Sequence, residues 1–83
     1  MKTYEEESWD LLLRTDPSFL VDKDLDEWSP QDIITAYIDV IVKDGIEIYT
    51  SQDGCYAEYE YNKIIFGLFY DADTDTSYFK EVK

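Results

Sequence analysis

The side chains able to do chemistry in this 83-residue chain are carboxylates and tyrosines. Twenty Asp and Glu stand against seven Lys and Arg, and eight residues are Tyr. Three carboxylate groups stand out. Asp22, Asp24 and Asp26 alternate with Lys23 and Leu25. In an extended backbone, alternate side chains project on one face about 6.6–7 Å apart, comparable to the spacing of phosphates on a stretched strand. Glu27, Asp32 and Asp39 follow, with Asp32 and Asp39 on the same outer side of a predicted helix. Glu47, Glu58 and Glu60 then share alternating stretches with Tyr49 and Tyr56, and all five are expected to face outward. A tyrosine ring gives contact area at low entropic cost, and carboxylates pair with Arg and Lys on a partner. Arg suits such a surface, because it pairs bidentately with a carboxylate and stacks on a ring.

The same inventory argues against catalysis and metal binding. With no His, the usual general base and the commonest metal ligand are missing. Asp71, Asp73 and Asp75 place oxygens at alternate positions like the start of a calcium loop. The pattern then fails: Thr76 takes the glycine position, and Val82 the place of the closing glutamate, with Glu81 one residue early. A hairpin loop rich in Asx turns is the better expectation. Glycosidase-type carboxylate pairs need a deep cleft and contrasting environments. A domain this short offers little room for one. No nucleophile elbow, glycine-rich phosphate loop or His/Cys cluster is visible. Cys55 reads as a core thiol with no base to activate it. The expectation is a protein with no enzymatic activity and no cofactor.

Seven elements must position these groups. Thr3–Thr15 reads as a first helix, with Thr3 and Glu6 as its capping box and Glu5, Glu6 and Glu7 at the positive end of its dipole. Trp9, Leu12 and Leu13 form its apolar stripe, and Asp16-Pro17 ends it. Pro17–Trp28 is a connector, pinned by Phe19, Leu20 and Val21, with a short helical turn over Phe19–Val21 and Trp28 as a lid on the core. Ser29-Pro30-Gln31-Asp32 starts a second helix, which Gly45 stops. Its buried stripe is Ile34, Tyr37, Ile38 and Ile41, widened by Ile33, Ala36 and Val40.

Strands follow: one from Ile46, a turn at Asp53-Gly54, one over Cys55–Tyr61, a turn at Asn62-Lys63, a central strand Ile64–Tyr70, and a last strand Tyr78–Val82. Cys55, Ala57, Tyr59 and Tyr61 should face the helices. Gly67 should let a ring or backbone approach closely. The fold class is α+β: two N-terminal helices on one face of a three- or four-stranded antiparallel sheet, in one domain over residues 1–83.

The net charge of −13 restricts partners. It argues against direct nucleic-acid binding and against an anionic membrane, and favours basic proteins. No apolar run is long enough to span a bilayer, and no signal peptide is visible. A lone cysteine fits a reducing cytosol. Monomer and homodimer are both open at this point.

Small size, extreme acidity, no catalytic motif and no histidine make the chain resemble, as a class, the phage-type inhibitors that mimic nucleic acid. These include anti-restriction proteins, anti-CRISPR proteins and glycosylase inhibitors. The resemblance implies a cytoplasmic protein, in the host cell if phage-encoded, whose carboxylates occupy a basic DNA- or RNA-binding groove. The residues expected to do so are Asp22, Asp24, Asp26, Glu27, Asp32, Asp39, Glu47, Tyr49, Tyr56, Glu58 and Glu60. An immunity protein or antitoxin against a basic nuclease uses the same physics. A structural or assembly adaptor is the third reading, and its binding would be nearly independent of salt.

Overall fold

Local signals start and stop each element of the computed structural model, which describes residues 2–82. Helix α1 runs Tyr4–Thr15, with the Thr3 hydroxyl accepting from the Glu6 N–H at 3.1 Å. A short 3-10 turn covers Pro17–Leu20. Helix α2 runs Pro30–Asp44 from a complete capping box between Ser29 and Asp32. Four strands follow, β1 (Ile46–Thr50), β2 (Tyr56–Tyr61), β3 (Ile64–Asp71) and β4 (Thr76–Glu81). They form one antiparallel sheet in the order β1-β2-β3-β4. The expected α+β arrangement, helices first and packed on the sheet, is what the chain adopts. No helix among the described residues is long and apolar enough to cross a membrane.

The turns explain the sheet order. Asn62 and Lys63 both take positive φ, 55° and 66°, which gives a two-residue turn whose twist matches its strands. Asn62 also donates to the Thr15 carbonyl at 3.3 Å, tying this hairpin to the end of α1. At the β1–β2 turn, the Ser51 hydroxyl donates to Asp53 at 2.6 Å and accepts from the Tyr56 N–H at 3.1 Å. Gly54 there takes φ 76°.

The core lies between α2 and the inner face of β2–β4. Ile33, Ile34, Tyr37 and Ile41 pack against Phe66, Leu68 and Phe79. Tyr37 is the hub, with ring centroids 5.0–6.1 Å from Phe19, Tyr61, Phe66 and Phe79. Burial pushes its hydroxyl well above the ordinary tyrosine range, with Asp16 adding to the shift. Gly45 lets α2 meet the sheet: a Cβ there would lie 2.5 Å from the Ile41 oxygen and 2.9 Å from the Glu60 oxygen.

Helix α1 seals one edge of the sheet. The buried Ser8 hydroxyl donates to the Phe79 carbonyl at 2.8 Å and accepts from the Phe79 N–H at 3.1 Å. This turns the helix relative to the expected stripe. Ser8, Leu11 and Leu12 are buried, while Leu13 is 44% exposed. The cause is tertiary: a strand edge needs a polar partner, and Ser8 supplies it.

Two further expectations are corrected. Val21 does not pin the connector: it is 80% exposed, and Phe19 and Leu20 alone reach the core. Cys55 is an exposed turn residue and not a core thiol. Its N–H is held by Asp53 at 3.0 Å, and strand β2 begins only at Tyr56.

Candidate functional site

On the helix side, carboxylates gather around the start of α2. Asp22, Asp24, Asp26 and Glu27 are exposed, but they do not form the expected extended ladder. The Asp24 side chain accepts from the Asp26 N–H at 3.0 Å. Its carbonyl accepts from Glu27 and Trp28 at 3.0 and 2.9 Å. An aspartate that bonds its own backbone two residues on favours a turn over an extended chain, so the alternation is lost.

Glu27, Asp32 and Asp39 come together with Trp28, Thr35 and Ala36 around a shallow groove of about 400 Å³. Trp28 therefore lines this groove instead of closing the core. Lys23 reaches over its ring, 5.5 Å from the centroid, and over Phe19 at 4.2 Å. Asp32 is partly committed, since it accepts from the Ser29 N–H at 3.3 Å. A second groove lies between the helix starts, lined by Glu5, Glu6, Trp9, Asp10 and Pro30.

The outer face of the sheet is the second surface. The register places Tyr49, Glu58, Gly67 and Lys80 in one cross-strand row, and Tyr56, Phe69 and Tyr78 in the next. Glu60 shares a third row with Ile46 and Ile65. Gly67 leaves a gap in the first row, and Tyr56 folds into it from the second. A Cβ at Gly67 would sit 3.0 Å from the Tyr56 hydroxyl oxygen and 3.0 Å from Val82. The close approach expected at Gly67 is thus the Tyr56 ring. The Tyr56 hydroxyl donates to Glu58 Oε2 at 2.7 Å. That bond to a carboxylate holds the phenol neutral and pushes its pKa up to about 12.

Glu47 does not join this surface. Pairing slips between Glu47 and Tyr49, so Glu47 lies opposite Tyr59 while Tyr49 lies opposite Glu58. The extra residue, Ile48, is a bulge that breaks the strict alternation assumed from the sequence. Glu47 therefore turns to the helix side, where Thr50 and Tyr59 donate to it at 3.1 and 3.3 Å. It borders a groove of about 270 Å³ that Ile38, Val42, Ala57 and Leu68 also line.

The predicted contact residues therefore fall on opposite faces of the sheet. Asp22–Asp39 lies with the helices, Tyr49, Tyr56, Glu58 and Glu60 lie outside, and Glu47 is separate from both. Sequence reasoning assigned no contact role to Tyr4, Phe69, Tyr78 or Lys80. Tyr4 packs against Phe69 at 4.9 Å and Tyr78 at 5.8 Å, which extends the outer aromatic rows to the start of α1. The alternation of Tyr78 and Lys80 was the available signal.

The weak calcium candidates serve their own turn. Asp71 accepts from the Asp73 N–H at 3.0 Å, and Asp75 accepts from the Tyr70 hydroxyl. Among the described residues, no three His, Cys, Asp or Glu side chains group to hold a metal. Ion pairing is also sparse: among the described residues it comprises Lys2 with Asp10, and Arg14 with Glu81 at 3.6 Å. No protein-family model, curated protein or solved structure matches the chain.

Proposed function

We propose that this protein binds the basic nucleic-acid-binding surface of a target protein, its carboxylates standing where phosphates would. The observation that carries the reading is the mismatch between charge and pairing. Twenty carboxylates against seven Lys and Arg give a net charge of −13, yet only two ion pairs form among the described residues. Unpaired charge of one sign destabilises a compact fold by self-repulsion. A partner that supplies the missing cations turns that cost into binding energy and steers the encounter.

The helix side is the stronger seat for this role. Glu27, Asp32 and Asp39 border one groove with an aromatic ring at its wall. Asp22, Asp24 and Asp26 extend the charge along the preceding loop, as a turned cluster and not as a straight ladder. The protein would act in the cytoplasm, the host cell's if a phage encodes it, as an inhibitor of anti-CRISPR or anti-restriction type.

The test is capture from a cell lysate followed by competition. The bound protein should be basic, and duplex DNA or structured RNA should release it. A bound protein that holds on at saturating nucleic acid contradicts the proposal. The captured target also separates two settings: a defence effector indicates an inhibitor, a nuclease toxin an immunity protein.

A further inference from the structure

The outer sheet face has a feature that phosphate mimicry does not use. Glu58 stands between two tyrosines: Tyr49 opposite it on β1, and Tyr56, whose hydroxyl bonds one of its oxygens. The two rings lie 6.2 Å apart, tilted by 52°. The Tyr56 ring lies over Gly67, in the space a side chain there would take. A phosphate mimic needs only carboxylates. Rings beside a carboxylate recognise the flat face of a cation as well as its charge.

A cation of the chain itself lies beside this place. Lys80, at the far end of the same row, extends its amine over the rings, 6.0 Å from the Tyr56 centroid and 5.6 Å from Phe69. Lys80 makes neither of the two ion pairs found among the described residues. Its amine lies against rings in a protein rich in free carboxylates.

We propose that the outer face around Glu58 receives an arginine side chain of the basic partner, and that Lys80 is the internal cation it displaces. This inference rests on the reading of the protein as a binder of a basic protein. The guanidinium lies against Tyr49 and Tyr56 and pairs with the Glu58 oxygen that the Tyr56 hydroxyl leaves free. An ammonium group gains the charge contact but not the stacking, so the face prefers arginine to lysine. Charge complementarity selects this occupant over nucleic acid, although exposed rings on a sheet can also stack bases.

The probes are two blocked tripeptides, triarginine and trilysine, titrated into the full chain and followed by backbone and ring NMR. The expected result is shifts at Tyr49, Tyr56, Glu58 and Gly67, with about two- to five-fold tighter binding for arginine at this face. Tyr49→Ala removes the preference while its melting temperature stays near that of the parent. Lys80→Gln tightens binding on this face and leaves the helix-side shifts unchanged. Equal affinity for the two peptides, shifts confined to Asp22–Asp39, or a single-stranded oligonucleotide moving the same rings overturns the inference. These results separate from the capture test. If DNA releases the captured protein but the arginine preference is absent, only the receptor fails. If the preference holds but DNA does not compete, only the mimicry fails.

Discussion

At β4 the outward backbone groups of Phe79 are both taken by Ser8, and α1 covers the strand. At β1 all five residues are exposed, Ile46 by 68% and Tyr49 by 51%. Strand β4 also buries Phe79 in the core and Tyr78 beneath Tyr4 on the other face, whereas β1 buries nothing. The two edges therefore have different tasks. The β4 half holds the fold together. The β1–β2 hairpin lends only Tyr59 and Tyr61 to the margin of the core, and its outward side chains on β1 are free to meet a partner. The bulge at Ile48 protects this open edge, because it interrupts the pattern another strand would need for pairing. Substitutions in one half should cost stability, and in the other, binding.

The largest effect belongs to Tyr37, the aromatic hub of the closed half. Tyr37→Ala removes a fully buried ring and should cost about 3–5 kcal/mol, enough to unfold much of a domain this small. Denaturant titration measures it. A loss near that of a surface change would show the core is not centred there. Ser8→Ala comes next. It strands the Phe79 N–H and carbonyl beneath α1, an expected loss of about 1–3 kcal/mol. Ser8→Ala with wild-type stability would mean that water reaches the β4 edge, and the contrast between the edges would weaken.

The alkaline limb tests the open half. The Tyr56 phenol has an ordinary pKa of 10.0, raised in the fold to about 12. Its contribution is complete below pH 10.0 and is lost as pH rises through about 12. Melting temperatures scanned across that window should fall more gently in Tyr56→Phe, which lacks the ionising group. Equal slopes would remove the Tyr56–Glu58 bond from the account. Tyr49→Ala should move stability least, within about 0.5 kcal/mol, as an exposed edge residue. A larger loss would show that β1 is a structural edge like β4.

Local chemistry made much of this fold legible. Thr3, Ser29-Pro30-Asp32, Asp53-Gly54 and Asn62-Lys63 each satisfy or turn the backbone within a few residues, so their types report their roles. Gly67 was readable because a glycine in an apolar strand leaves room that something must fill. The errors share another cause. Ser8 is polar and gave no sign of burial, since its reason lies on β4, far along the chain. The Ile48 bulge is set by pairing with β2, and one inserted residue reversed Glu47. Asp22, Asp24 and Asp26 alternate in sequence, but Asp24 bonds backbone instead of projecting in a ladder. The carboxylates of the candidate site could thus be named from sequence, while their division between two faces depends on the packing of α2 and the register of β1.

The direct test of phosphate mimicry is the salt dependence of binding to the captured basic protein, for the parent and for a Glu27→Lys/Asp39→Lys variant, which spares the Ser29–Asp32 cap. Asp22 and the Tyr49–Glu60 surface stay intact in that variant. Parent affinity should fall steeply with salt, duplex DNA should compete, and reversing the two charges should weaken binding and flatten the salt slope. Unchanged affinity and slope in the variant, with DNA unable to compete, would contradict it.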